Sequence, residues 1–593
     1  MVGGDSRVYG DRAVAGAGTR SSAVAWLGIC LLILVAPFEA LDPIVEFPGQ
    51  SLSSVEVALL VVIASWLLAA TALRDAPVWR TPLTWPWIAF LGAMLVAAVA
   101  GFDRSNALHM VGRFALAFGV YLMTVNGVNG VGRLRGLIAV ASIAGAIVAA
   151  LAALEYLGVE AVLQALTLFR PRVSVIGTQV RAGGPFQYPT IASMYLEIVF
   201  ALSLGLLLVA IDADREKPAR ARRIAIGVLV GAILLISEAV TLTFTRSGLI
   251  TMAGSLALLA VLRVWLSGLD RGTKWLMAIS ALIALQILTS RSFESLRLRL
   301  TTEGQETWYR AAISAPSRVT LQAGAIATVP VTLTNSGLST WDSHAVVPFR
   351  VSYHWLQADA DSIVHWEGLR TEFPARVAPG ETVTMKADVE APPEPGDYRL
   401  MWDIEQEKRL WFSSEPGADL SVSLATIRGP AVAARVPEPI RPVPRPGGRP
   451  GRGVLWRAAT SMAADHPLLG VGPDNYRLLY GGYAGIANFD SRVHSNNMYL
   501  EVLTGGGLAG GLAFAWLCWR AARRAVHPVL RPSDPAVASL AAAVCAAAVA
   551  IALHGLVDSF LGFTGTYIPI AIVLGLAVAG DAINGTRADA HRL

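Results

Sequence analysis

Long apolar runs, separated by short polar segments, dominate the pattern of hydrophobic and polar positions along the chain. An α-helix needs about 20 residues to cross the hydrocarbon core of a bilayer, which is roughly 30 Å thick. Twelve runs reach or approach that length, so the pattern predicts an all-α polytopic membrane protein with about twelve transmembrane helices. The predicted spans are residues 23–40, 52–73, 84–101, 107–126, 133–157, 189–211, 223–243, 247–266, 273–290, 496–519, 535–557 and 563–580.

Arginine and lysine are distributed unevenly among the segments that join these spans. Because cytoplasmic loops carry an excess of both residues, the basic segments are predicted to face the cytoplasm, together with the tails 1–22 and 581–593. The first run is followed by no cleavage pattern, so it is expected to be a retained span rather than a signal peptide. The basic residues on this side are Arg7, Arg12, Arg20, Arg74, Arg80, Arg133, Arg135, Arg215, Lys217, Arg220, Arg222, Arg223, Arg263, Arg271, Lys274, Arg520, Arg523, Arg524 and Arg531.

One long hydrophilic region, residues 291–495, interrupts the spans and is expected on the extracytoplasmic side. Its central part alternates apolar and polar residues between turn signals such as "NSG" and "PEPGD", which predicts an inserted immunoglobulin-like β-sandwich with Trp341 in its core. A segment rich in proline, glycine and arginine follows and is typical of an extended linker. The predicted domains are spans one to nine (23–290), a connector (291–317), the sandwich (318–425), the linker (426–453), an extracytoplasmic helix and loop (454–495) and spans ten to twelve (496–580).

Composition narrows the possible functions further. With 54% hydrophobic and 15% charged residues, the chain is too apolar for an ordinary soluble enzyme. Its net charge of +5 is explained by basic residues flanking the spans, so no nucleic-acid partner is expected. Its three cysteines lie within apolar runs without metal-ligand spacing, so neither a disulfide framework nor a metal site is predicted.

Polar strings on the predicted extracytoplasmic side contain the candidate catalytic and phosphate-binding residues. "RAGGPF" begins with Arg181, the turn "TFTRSG" contains Arg246, and "RVHSNN" contains His494 at the mouth of the tenth span. Guanidinium groups bind phosphate oxygens bidentately, and a lipid-linked diphosphate presents its charge at the depth of the headgroups. A neutral imidazole can accept a proton from an attacking hydroxyl.

Each of these residues also has an ordinary structural interpretation. Arginines at the ends of spans anchor helices at the membrane interface, and a histidine beside asparagines at a helix start can act as a cap. Arg170 and Arg172, like Arg181 and Arg246, lie on the side that disfavours arginine and so require an explanation. Charged residues inside predicted spans indicate either ion pairs or a polar cavity; they are Glu56, Arg113, Glu197 and Glu238.

Five sequence strings, in both their residues and their order along the chain, resemble the O-antigen ligase and polymerase superfamily of integral membrane glycan transferases. They are "RAGGPF", "TRSG", "DHPLLGVGPDNY", "HSNNMYLEVL" with "GGGLAGG", and "LHGLVDSF". The resemblance implies a large membrane glycosyltransferase fold and a metal-independent, inverting, cofactor-free transfer from an undecaprenyl-diphosphate glycan. It further implies donor-phosphate binding by Arg181 and Arg246 and a base at His494. Supporting roles are possible for Arg492, Asn497 and Asp558. The inserted sandwich departs from the superfamily pattern, in which this loop is helical.

The resemblance favours an O-antigen ligase acting at the periplasmic face of a bacterial inner membrane, with lipid A-core or another glycan as acceptor. A polymerase that uses a second lipid-linked repeat remains open. A transporter or flippase of lipid-linked sugars would also have many spans, but the chain lacks the duplicated halves that many transporters have. A sensor or adhesin that presents the β-sandwich would need only one or two spans, so about twelve spans argue against it.

Overall fold

The structure is a computed structural model whose chain divides into two compact units. One contains residues 1–174, 181–291 and 450–593, and the other contains residues 175–180 and 292–449. The described residues are 20–47, 50–212, 218–290, 292–302, 307–359, 362–407, 409–415, 419, 421–431, 450–487 and 489–590. Most of the predicted linker 426–453, together with Arg7, Arg12, Arg215 and Lys217, lies outside them.

Helices make up most of the first unit. In chain order they are α1 (Arg20–Val35), α2 (Ser54–Ala72), α3 (Thr84–Ala100), α4 (Arg104–Gly127), α5 (Val131–Tyr156), α6 (Glu160–Leu166), α7 (Pro189–Asp212), α8 (Ala219–Leu242), α9 (Arg246–Ser267), α10 (Arg271–Thr289), α11 (Phe293–Thr301), α12 (Arg452–Asp465), α13 (Tyr476–Ala484), α14 (Met498–Leu530), α15 (Pro535–His554) and α16 (Thr564–Ala590). Of these, α11 belongs to the second unit.

Each predicted span coincides with a helix, but the number twelve is not confirmed. Among the described residues, ten helices are long and apolar enough to cross a membrane. The other two, α1 and α3, have 16 and 17 residues and are shorter than a typical span. The chain is therefore a multi-pass membrane protein with ten candidate spans and two shorter apolar helices.

Polar caps determine where several of the apolar helices begin. Ser53 and Glu56 form a capping box at the start of α2, and Asp103, Asp270 and Asp534 accept hydrogen bonds from the first turns of α4, α10 and α15. Such caps satisfy main-chain N–H groups that have no partner within the helix.

Helix α7 lies at the centre of the first unit. Its most apolar stretch is entirely buried by neighbouring helices. Two of the charges noted inside spans form an ion pair elsewhere in this unit, because Arg113 Nε lies 2.8 Å from Glu56 Oε1. Glu238 accepts a hydrogen bond of 2.7 Å from Gln286. Glu56, Arg113 and Glu238 therefore have structural partners inside the helical unit, which was one of the two interpretations that the sequence left open.

Strands appear mainly in the second unit, apart from the β1–β2 hairpin. They are β1 (Val45–Phe47), β2 (Gln50–Leu52), β3 (Val175–Ile176), β4 (Gln179–Val180), β5 (Ala311–Ser314), β6 (Arg318–Gln322), β7 (Ile326–Asn335), β8 (Phe349–Gln357), β9 (Ile363–His365), β10 (Thr371–Glu372), β11 (Thr382–Glu390), β12 (Gly396–Gln406), β13 (Leu410–Trp411) and β14 (Val422–Arg428).

A seven-stranded sheet runs in the order β10-β8-β12-β14-β6, with β9 and β13 paired to its inner strands; a three-stranded sheet runs β11-β7-β5. Trp355 Nε1 of β8 donates a 2.9 Å hydrogen bond to the carbonyl of Glu390 in β11, which links the two sheets. Trp341 is fully buried, as expected. The sheets are present where the alternation predicted strands, and the immunoglobulin-like class stays a prediction.

Candidate active site

Main-chain hydrogen bonds join a glycine-rich turn, residues 470–472, to the first turns of α14. Val471 N donates to Thr504 O at 2.8 Å, and Gly472 N donates to Gly505 O at 3.0 Å. Gly470 has φ +67°, and a Cβ added there would lie 2.3 Å from Thr504 O. Gly507, with φ +58°, kinks α14 at the same place. The strings "GVGP" and "GGG" therefore require glycine for close main-chain approach.

The two predicted phosphate-binding arginines lie on adjoining segments, although 65 positions separate them in sequence. Ala182 N donates a 2.9 Å hydrogen bond to Leu242 O, and Arg181 Nε donates one of the same length to Thr243 O. The intervening turn contains Phe244 in the left-handed region, at φ +52°, and α9 begins at Arg246. The fold thus brings both guanidinium-bearing residues to one end of the helical unit.

Arg170, which was also predicted on the side that disfavours arginine, is accounted for by a buried partner. It pairs with Glu155, and both side chains are at most 3% exposed. The same carboxylate accepts hydrogen bonds from the amides of Gly183 and Gly184, at 3.0 and 2.8 Å. Part of the "RAGGPF" string therefore serves to hold the Arg181 segment in place. Arg172 is exposed.

His494 lies beside two carboxylates, with Nδ1 3.3 Å from Glu501 Oε1 and 3.9 Å from Asp474 Oδ1. Burial lowers the pKa of His494, but the hydrogen bond and charge of Glu501, aided by Asp474, outweigh it, so the pKa is raised overall. These three residues and Phe563 help to line a cavity of ≈ 30 Å³, which is large enough for a water or a hydroxyl group.

The residues considered as supporting His494 differ in their surroundings. Arg492 is 77% exposed and pairs with Asp490. Asn497 is the N-cap of α14, and its Nδ2 also donates to Leu556 O at 3.0 Å. The alternative interpretation of His494 as the cap of this helix is therefore wrong. Asp558 is partly buried; burial raises its pKa, despite an opposing effect from the nearby charge of His554.

A buried polar network that the sequence did not predict connects α7, α9 and α15. His554 Nδ1 lies 2.9 Å from Glu197 Oε2, and His554 Nε2 lies 2.6 Å from Ser247 Oγ. Glu197 also accepts hydrogen bonds from Ser193 and Thr251. Glu197 and His554 are fully buried. A signal for this pairing existed, because two oppositely chargeable residues lay in separate apolar runs.

Aromatic contacts and main-chain bonds place the remaining strings at the same end of the helical unit. Phe563 lies between His494 and Tyr188, with ring-centroid distances of 6.4 and 6.2 Å. Met498 N donates a 2.7 Å hydrogen bond to Gly555 O, which joins the start of α14 to the end of α15. The segments carrying Arg181, Arg246, His494 and Asp558 therefore converge.

Of the comparisons with known proteins, a family model gave a match. In the described part of the chain, no group of three or more His, Cys, Asp or Glu residues could hold a metal ion. No curated protein matches the chain. Residues 425–515, which contain His494 and Glu501, match the family model described as O-antigen ligase, and this match confirms that the chain resembles the O-antigen ligase superfamily.

Proposed function

We propose that the protein transfers a glycan from an undecaprenyl-diphosphate donor to an acceptor hydroxyl at the extracytoplasmic face of the inner membrane. The observation that carries the proposal is that the segments containing Arg181, Arg246 and His494 meet at one end of the helical unit. Residues 425–515 of the same chain match the O-antigen ligase model. The family match supports a membrane glycan transferase. Donor, acceptor and orientation are proposals.

His494 acts as the base in this mechanism. Its Nδ1 faces Glu501, so Nε2 is the atom that takes the proton from the acceptor hydroxyl. The acceptor oxygen then forms a bond to the anomeric carbon while the bond from that carbon to the diphosphate oxygen breaks. One displacement inverts the anomeric centre, the proton remains on His494, and the electron pair leaves with the diphosphate. This route uses no metal.

Arg181 and Arg246 stabilise the negative charge that develops on the departing diphosphate. Guanidinium groups remain charged at physiological pH and present paired N–H donors to phosphate oxygens. Arg181 Nε–H donates to Thr243 O, which fixes this guanidinium beside the turn that precedes Arg246. Donors fixed in this way stabilise a transition state without reorganisation during the reaction.

Charge at the opposite end of the helical unit supports the proposed orientation. Arg524 pairs with Asp581 there, and Arg263 pairs with Asp212, in the segments predicted to be cytoplasmic. In a chain without its native cysteines, Lys386→Cys is expected to react with an impermeant thiol reagent added from outside the inner membrane, and Arg220→Cys is not. The reverse labelling would contradict the proposed face of the active site.

A ligase that uses lipid A-core or another glycan as acceptor is favoured over a polymerase, because His494 fits the ligase branch of the superfamily better. The immunoglobulin-like class of the strand-rich insertion belongs to the same proposal. In a strain lacking the protein, loss of a ligase is expected to accumulate polymer on the lipid carrier, whereas loss of a polymerase accumulates single repeats.

The direct test is turnover by the purified full-length protein in lipid nanodiscs. With a synthetic undecaprenyl-diphosphate glycan as donor, release of undecaprenyl diphosphate is expected only when an acceptor glycan is added. His494→Ala is expected to stop the release and leave donor binding intact, because it removes the proton acceptor alone. Absence of release, combined with movement of intact donor across proteoliposomes, would instead favour a flippase.

A further inference from the structure

The guanidinium of Arg477 joins three separate segments around the candidate active site. Its Nε donates a 2.8 Å hydrogen bond to Asp474 Oδ2, its Nη1 donates to Ser491 O at 3.1 Å, and its Nη2 donates to Asn106 Oδ1 at 2.6 Å. Asp474 lies just after the glycine-rich turn, and Asn106 lies in the first turn of α4. Ser491 lies three residues before His494. All three nitrogens of the side chain are therefore used, each on a different segment.

The backbone of Asp474 adopts a conformation that needs support from its surroundings. Its φ is +65°, in the left-handed region, which residues other than glycine adopt at a cost. The next residue, Asn475, is fully buried; its Nδ2 donates to Asp103 O at 3.1 Å, and its Oδ1 accepts from Asn106 at 3.0 Å. Contacts from α4 and from Arg477 therefore fix the position of the Asp474 carboxylate.

This carboxylate lies beside the predicted base. Asp474 Oδ2 accepts the hydrogen bond from Arg477, while Asp474 Oδ1 lies 3.9 Å from His494 Nδ1. Asp474 and His494 both line the cavity of ≈ 30 Å³. Arg477 is linked to the same histidine in a second way, because its bond to Ser491 O holds the loop that carries His494. One side chain thus holds both the loop of the base and a carboxylate next to it.

We propose that Arg477 is a positioning residue, which keeps His494 in place for the acceptor hydroxyl by fixing the Asp474 carboxylate and the loop 491–494 relative to α4. The proposal rests on the proposed function, since it adds a residue to the same reaction. The proton still passes from the acceptor hydroxyl to His494. Arg477 takes no part in that transfer and acts only through the residues that it holds.

The charge of Arg477 provides a readout that a purely structural role would not change. Burial lowers the pKa of His494, whereas the neighbouring carboxylates Glu501 and Asp474 raise it. The positive charge of Arg477 lowers the same pKa. Asp558, in the loop after α15, also interacts electrostatically with His494. Because the base must be neutral, removing the Arg477 charge should raise the pKa of His494 and move the acid limb of the kcat/KM profile to higher pH.

Turnover by the full-length protein in nanodiscs, measured over a range of pH, tests the proposal. Arg477→Met is expected to lower kcat by about tenfold or more, because a displaced catalytic group can cost about 100-fold, and to move the acid limb to higher pH. Arg477→Lys keeps the charge but cannot make three contacts, so kcat should fall while the acid limb stays in place. Binding of undecaprenyl diphosphate should remain as in wild type for both variants.

Arg370→Met is the matched control. Arg370 is 26% exposed, against 25% for Arg477, and likewise pairs with an acidic residue three positions away, Glu367, in the strand-rich unit. Its kcat and pH profile should equal those of wild type. If Arg477→Met also keeps the kcat and the acid limb of wild type, the positioning role is overturned.

Asp474→Asn takes the place of Arg477→Met if that chain does not fold, because asparagine tolerates the left-handed backbone and lacks the charge. It should lower kcat and move the acid limb to lower pH, and an unchanged kcat and profile would overturn the proposal.

Failure of the proposed function is recognised separately. If the wild-type chain releases no undecaprenyl diphosphate, or if His494→Ala is as active as wild type, the function itself is wrong. Reaction of His494 with diethyl pyrocarbonate, followed by mass spectrometry, reports its pKa without turnover, because only the neutral imidazole reacts. The midpoint of this reaction should lie at higher pH in Arg477→Met than in wild type, and equal midpoints would overturn the contact between Arg477 and the surroundings of His494.

Discussion

Replacing Arg181 with lysine separates the shape of the side chain from its charge. The guanidinium holds the turn before α9 through a 2.9 Å hydrogen bond from Nε to Thr243 O, and Nη2 lies 3.5 Å from Thr245 Oγ1. Lysine has one ammonium group at the end of a flexible stem. It can reach either the turn or a phosphate, and it cannot make the two contacts together.

The expected loss follows from these contacts. One electrostatic donor directed at a developing charge is worth about 2–4 kcal/mol of transition-state stabilisation. That range corresponds to a fall in kcat of roughly 30- to 900-fold. Because lysine keeps the positive charge, donor binding is expected to weaken less than kcat falls, and the Arg181→Lys protein should still insert in the membrane.

The assay is single-turnover release of undecaprenyl diphosphate from a synthetic donor, with donor binding measured separately. Arg376→Lys is the matched control, because Arg376 is 67% exposed and pairs with Asp342. Surface substitutions of this kind change energies by about 0.5 kcal/mol or less. An Arg181→Lys protein with the kcat of wild type would refute the bidentate role of Arg181 in catalysis.

Three further predictions concern the surroundings of His494. His494→Asn is expected to lose transfer, since asparagine cannot accept the proton, and substantial turnover at normal expression would exclude His494 as the base. The base must be neutral, so activity should fall as the pH drops through the raised pKa of His494. Because Glu501 contributes to raising that pKa, Glu501→Gln is expected to move the acid limb of the kcat/KM profile to lower pH. An unchanged profile would contradict this assignment. Gly470→Ala is expected to lower the free energy of unfolding by at least about 2 kcal/mol, because Gly470 has a positive φ and a Cβ there would overlap a main-chain oxygen of α14. Gly482→Ala is the control: it lies within a helix with open space around it, so it should not lower the unfolding temperature.

The apolar runs located the helices well because membrane burial imposes length and composition on each helix separately. Every predicted span overlaps a helix, and α5 and α15 end within three residues of their predicted positions. The first predicted span, 23–40, extends five residues past the end of α1 at Val35, because Ala36, Pro37 and Phe38 continue the apolar run. Residues 175–180 were not assigned to the strand-rich unit, although Gln406 Nε2 donates to Gly177 O at 2.7 Å. Pairings across more than 200 positions leave no periodic signal in the sequence.

The candidate site was predictable as a set of residues and not as a set of pairs. Arg181 and Arg246 stood out because each was predicted on the side that disfavours basic residues, and His494 because it was predicted at the mouth of a span. Glu501 was missed as the partner of His494, and Glu155 as the partner of Arg170. Both carboxylates lie in apolar runs where composition alone reveals their presence, and their partners are fixed by tertiary packing.

The pairing of the glycine turn 470–472 with α14 has a consequence for mutational tolerance. Main-chain hydrogen bonds do not depend on the identity of the flanking side chains, so the exposed Leu468 and Leu469 can vary while the pairing persists. Gly470 and Gly507 cannot, because any Cβ there would overlap the opposite backbone. In a saturation-mutagenesis screen, this segment should appear as a few intolerant glycine positions separated by permissive ones. A motif that looks loose in sequence would thus prove strict at its glycines, since these positions admit no side chain at all.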